Sequence, residues 1–160
     1  MTSAWQDGEI RRFYKALVQG RLVKGETDIQ IPIGPVFHPL LGEVHAVRKD
    51  GKPSQSHVRL LESRGTMSLV EVEILTGRPH QIRIHLAAAG HPLYGDTLYP
   101  VGGVPAPEAR ALPGDLGYFL HAERLLFRHP ASGQKVDIEC IPPTILRSGY
   151  SESYLDCSTA

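Results

Sequence analysis

The 160-residue sequence predicts an α+β fold around a largely antiparallel β-sheet with few helices. Three observations carry that expectation. Short runs alternate apolar and polar residues, most clearly 67-MSLVEVEIL-75. One segment is bracketed by helix signals, with Pro79 at its start and Gly90 followed by His91 and Pro92 at its end. Two apolar runs near the C-terminus flank Pro130 to Gly133, residues that favour a turn, which is a hairpin signature.

Taken in order, the first strand is 10-IRRFYKALVQG-20. Phe13, Lys15 and Leu17 alternate there with Tyr14, Ala16 and Val18, and Gly20 closes the run. A second strand is expected at 28–33, from DIQIPI. The stretch 34–56 is rich in Gly, Pro and polar residues and reads as an irregular excursion. Strands follow at 57–62 and 67–75; in the latter Val70, Val72 and Ile74 share one face while Glu71 and Glu73 point the other way. The helix is expected at 79–89, a Pro/Gly-rich loop at 100–117, and the hairpin strands at 118–129 and 135–141. Residues 1–147 then make one domain, and the small, polar segment 148–160 is expected to be a frayed tail.

Seventeen basic residues balance seventeen acidic ones, so no whole-molecule field draws the chain to nucleic acid, and RNA binding needs a local patch. Cys140 lies inside the apolar strand pattern 136-VDIECI-141 and Cys157 in the tail, with no disulfide framework. The N-terminus has no apolar core of signal-peptide length and no run reaches membrane-spanning length, so a cytoplasmic protein is expected. Nucleophile-elbow, P-loop and dinucleotide patterns do not occur. His80 and His85 are five apart and leave a helix on different faces, unlike a zinc pair, so no metal site is expected.

Arg83 stands out. At about 100° per residue it projects between Leu86 and Ala87, and the wet face is expected at Gln81 and His85. Such a guanidinium either snorkels outward along its stem or meets a carboxylate or phosphate in bidentate fashion. Glu71, Glu73 and Asp96 are within reach by sequence, but none sits at helical spacing from Arg83. Its partner is therefore expected outside this chain.

The segment from Leu75 to Tyr99 resembles the signature of the RluA-type RNA pseudouridine synthases, Thr-Gly-Arg-x-His-Gln-Ile-Arg-x-His-Leu followed by Gly-His-Pro-x-x-Gly-Asp-x-x-Tyr. RRFYKALVQG, GKPSQSHVRLLE and LHAERLLFRHPASG resemble further segments of that family in the same order, so the likeness runs from about residue 5 to 143. The resemblance implies a pseudouridine-synthase-like catalytic domain that isomerises uridine within rRNA or tRNA, without metal or organic cofactor. It assigns the family's active-site arginine to Arg83 and its base-stacking tyrosine to Tyr14. Thr76, Gly77, Arg78, His80 and Gln81 are then expected to form the pocket floor and RNA contacts, Arg78 and His80 near phosphates at the helix start. Lys52, clustered with Arg48 and Lys49, is expected to add local positive charge.

One part of the pattern is not found. The family carries its essential aspartate in a His-Arg-Leu-Asp-x-x-Thr-Ser-Gly motif upstream of the tyrosine strand, and no such motif occurs in this sequence. Neither Asp7 nor Asp50 matches it. The expectation is an N-terminally truncated catalytic domain, inactive by itself, with an uncovered sheet that invites self-association. A non-catalytic RNA-binding relative, or a fragment that depends on a partner, is the alternative.

Overall fold

A computed structural model describes residues 10–23, 25–110 and 117–149. Its centre is a six-stranded antiparallel sheet formed by β1 (Arg11–Gln19), β2 (Glu26–Gln30), β5 (Gln55–Arg64), β6 (Met67–Ile74), β7 (Leu120–Arg128) and β8 (Lys135–Glu139), in the spatial order β2-β5-β6-β1-β7-β8. β3 (Ile33–His38) and β4 (Gly42–Val47) form a separate two-stranded hairpin. One helix, α1 (Gln81–Ala88), lies on the sheet, and a single 3-10 turn at Thr144–Leu146 packs on the other side. Among the described residues, no helix is long and apolar enough to cross a membrane.

The alternation read from the sequence sorts the two faces. Ala16, Val18, Val70, Val72 and Ile74 turn toward α1, where Ile82 and Leu86 complete one apolar cluster. Leu17 and Leu69 point the opposite way and meet Leu146. Glu71 and Glu73 keep to the outer face and pair with Arg59 and Arg11. Ile84 and Ala87, on a second side of the helix, pack with Ile33, Leu98 and Tyr99. A short helix flanked by two clusters is therefore buried over most of its circumference.

Several boundaries differ from expectation. The strand expected at 28–33 is divided, β2 ending at Gln30 and Ile33 opening β3. The stretch expected to be irregular holds the β3–β4 hairpin. Pro35 is tolerated there because β3 pairs on one side only, with β4. The hairpin is tied back through the Ile33–Lys52 bridge, at which a β-carbon on Gly51 would lie 2.5 Å from the Ile33 carbonyl carbon. Cys140 falls just beyond β8 and is exposed, not held in a strand. Of the expected tail, residues 150–160 lie outside the described residues, as does Asp7.

Candidate functional site

The helix that carries Arg83 is held by a buried polar network. Gln81 is 3% exposed. Its amide nitrogen donates to the Gln55 carbonyl and to Ser56 Oγ, both at 2.9 Å. Its amide oxygen accepts from Thr76 Oγ1 at 2.8 Å and from the Arg78 N–H at 3.1 Å. Thr76 Oγ1 in turn accepts the Gln55 N–H. His85, fully buried, donates from Nε2 to the Ile31 carbonyl and accepts at Nδ1 from Ser56 Oγ. This overturns the expectation of a wet face at Gln81 and His85. Thr76 and Gln81 spend these side-chain hydrogen bonds inside the chain, where they brace the turn that leads into α1. They sit inward because strand β5 and its lead-in supply partners that a helical wheel cannot reveal.

Arg83 is also placed differently from expectation. One edge of its fork is filled from within the chain: Nε donates to Asp96 Oδ2 at 2.8 Å and Nη2 to Asp96 Oδ1 at 2.9 Å. The Asp96 side chain is 1% exposed and that of Arg83 12%. The guanidinium lies over the rings of Tyr99 at 4.8 Å and Tyr118 at 4.3 Å, a cation held between two π faces. Burial opposes its charge, but the hydrogen bond and attraction to Asp96 outweigh that cost and the Arg83 pKa is raised. Asp96 reaches the helix because its own turn is pinned, Oδ1 accepting the N–H groups of Leu98 and Tyr99. That turn is moored to β1, with the Tyr94 N–H donating to the Leu17 carbonyl at 2.8 Å. Gly95 is obligatory within it: its φ is +85°, and a β-carbon would lie 2.5 Å from the Gly117 oxygen.

The remaining candidates lie on β1, on the turn that leads into α1 and on the loop beside that turn. Tyr14 is half-buried and packs against the apolar cluster that contains Ile82, the neighbour of Arg83. Gly77 brings the backbone close to Arg12, whose Nη1 would be 3.0 Å from an added β-carbon. Arg78 donates from Nε and Nη2 to the Pro53 carbonyl. Across from it, a cavity of about 470 Å³ between the hairpin and the 77–79 turn is lined by Pro35, Glu43, His45, Lys52 and Arg78. Arg48 adds little to the expected basic cluster, because Asp50 binds it at 2.6 and 2.8 Å. His80 donates from Nδ1 to the Tyr99 hydroxyl oxygen at 2.8 Å.

Asp96 is the acid that spacing argued against as a partner of Arg83, and Tyr99 and Tyr118 are site residues that sequence reasoning did not nominate. The available signal was the Gly95-Asp96 step, a turn-forming pair following the helix stop.

Comparison with known proteins matches residues 1–88 to the family described as RNA pseudouridylate synthase. The chain is 41% identical to RNA pseudouridine synthase 5 of Oryza sativa subsp. japonica, covering 88% of this chain and 41% of that protein. It is 40% identical to an uncharacterized RNA pseudouridine synthase of Synechocystis sp., covering 85% of this chain and 47% of the relative. Ribosomal large subunit pseudouridine synthase D of Nitrosomonas europaea is 40% identical, over 81% of this chain and 37% of its own length. The chain thus spans less than half the length of these relatives. Among solved structures, Human RNA Pseudouridylate Synthase Domain Containing 1 superposes with a TM-score of 0.66 at 25% identity, over 91% of this chain and 61% of that one.

Proposed function

Because the chain belongs to the RNA pseudouridylate synthase family, we propose that it furnishes one part of a cytoplasmic active site that converts uridine to pseudouridine within rRNA or tRNA. In that reaction the N1–C1′ bond breaks, the uracil turns, C5 joins C1′, and the C5 proton is lost while N1 gains one. The observation that carries the reading is the clamped cation: Arg83 is held by Asp96 between two aromatic rings. A charge fixed this way needs no reorganisation when negative charge develops beside it. Its hydrogen bonds to Asp96 run through Nε and Nη2, so an incoming carboxylate would meet the Nη1 side of the fork. Tyr14 lies against the uracil, and Lys52, Arg78 and the backbone at Gly77 contact the RNA. The target base has to leave its stack to enter.

The nucleophilic aspartate, in this reading, comes from a segment bearing the His-Arg-Leu-Asp motif, which this sequence does not contain. That segment, or failing it a second copy of the chain, covers the open part of the sheet. The missing motif equally favours a second reading, an RNA-binding relative without catalysis. Tritium release from RNA labelled at uridine C5, measured beside RNA binding at low salt, tests both. The 160-residue chain is expected to bind RNA and release no tritium. Fused to a segment that carries the motif, it is expected to turn over, and Arg83→Ala to abolish that turnover. A fusion that binds but never turns over favours the binder. Turnover by the chain alone overturns the assignment of the nucleophile, and no RNA affinity at low salt removes both readings.

A further inference from the structure

His80 is the sole non-glycine among the described residues with a positive φ, at 56° with ψ 18°, and it occupies the N-cap of α1. Left-handed backbone is strained for a residue with a β-carbon and persists where surrounding contacts over-determine it, as happens at functional sites. The contact here is Tyr99. The two rings meet edge to face, centroids 5.7 Å apart at 70°, and the hydrogen bond from Nδ1 reinforces them.

That hydrogen bond fixes which nitrogen carries the proton. Burial, the first cause, pushes the Tyr99 phenol up to about 12, so it keeps its proton. The phenol has one O–H, and it donates to the His45 carbonyl at 2.7 Å, an oxygen that only accepts. The 2.8 Å contact between His80 and Tyr99 therefore has Nδ1–H as its donor. Desolvation first, then the positive charge of Arg83 and the neighbouring His45, only partly opposed by Asp96, lower the His80 pKa below its ordinary 6.5. A neutral imidazole with its proton on Nδ1 presents a lone pair at Nε2. Among the described residues Nε2 has no hydrogen-bond partner, and His80 is exposed.

An unprotonated nitrogen cannot hold a phosphate, whose oxygens also only accept. In this reading His80 faces the base and not the phosphates. What it can bind is a donor, and on a pyrimidine nucleotide the ring offers one: uridine carries N3–H, where cytidine carries a lone pair. We propose that His80 is a specificity-determining residue whose Nε2 accepts the N3–H of the target uracil, so that the site takes uridine and refuses cytidine. Arg83 stands beside it, both side chains meeting the ring of Tyr99. The inference rests on reading this chain as part of a uridine-isomerising site.

The test uses the unaltered chain first. Nitrogen NMR of the 15N-histidine-labelled protein at pH 7 is expected to show His80 neutral with Nδ1 protonated. A cation, or the proton on Nε2, overturns the proposal before any ligand is added. Binding is then compared for oligouridylate, N3-methylated oligouridylate and oligocytidylate. Oligouridylate is expected to bind about tenfold more tightly than either, the effect of one net hydrogen bond. The ratio to the N3-methyl form is expected to persist in the 2′-deoxy series. A ratio of about one already in the ribose series, with affinity falling in the 2′-deoxy series, would mean that the donor is the ribose hydroxyl, which also overturns the proposal. In His80→Asn, a residue that tolerates left-handed backbone, the ratio should fall to about one with oligocytidylate affinity unchanged. An unchanged ratio in that variant sinks the inference. Equal binding of all oligonucleotides sinks the inference alone, whereas no binding of any sinks the RNA reading with it.

Discussion

At the scale of single residues, the clamp on Arg83 depends on Asp96. The two side chains, 12% and 1% exposed, are nearly removed from water, and the carboxylate also holds the Leu98 and Tyr99 N–H groups. Breaking a buried pair by neutralising one partner costs about 3–5 kcal/mol, chiefly because the other charge is left uncompensated. Asp96→Asn is therefore expected to lower unfolding stability toward that range in urea titrations, while Asp50→Asn, on the exposed Arg48 pair, changes it little. Equal effects of the two would show that the Arg83 pair is not buried in solution. This pairing was not legible in the sequence. Asp96 stands thirteen positions from Arg83 and arrives by a turn moored to β1, so no periodicity relates the two.

At the scale of elements, strands with alternating patterns were legible because period-two burial leaves a trace in residue type: β1, β6 and the β7–β8 hairpin all fall near their expected positions. The β3–β4 hairpin was not, since it is a two-stranded sheet with Pro and Gly that a half-open edge accommodates. The inward face of α1 was misread for a different reason, that its polar residues are satisfied by β5 and by the Ile31 carbonyl. That network has a pH signature. Desolvation lowers the His85 pKa from 6.5, only partly opposed by its bond to the Ile31 carbonyl. Protonation is thus easier in the unfolded chain, which binds more protons in the window below 6.5. Stability from this group is fully present above 6.5 and is lost as pH falls toward the depressed folded value. Unfolding free energy should decline on acidification through that window, and His85→Gln should flatten the decline. A variant with the same slope as the parent would assign the loss to other groups.

At the scale of the whole molecule, the sheet is covered unevenly. α1 caps the cluster around Val72 and Ile82, but farther along the same face Leu125, Phe127 and Val136 are half-buried and Ile138 is 51% exposed. Pairing registers align Arg12, Leu125 and Ile138 in one row, so this patch continues the surface that carries Tyr14. The edge of β8 is guarded by Lys135, Asp137 and Glu139, the two acids paired with Arg124. Such charges discourage strand-to-strand growth. Face-to-face contact is not blocked in that way, and with seventeen charges of each sign there is no net repulsion to keep copies apart. The chain is accordingly expected to self-associate through this face into small, limited assemblies rather than fibres, with sedimentation that depends on concentration. Ile138→Lys should shift it toward monomer without altering its secondary structure. If the parent chain sediments as a monomer at all concentrations and unfolds in one sharp transition, the patch is covered by its own surroundings and the argument from uneven burial fails.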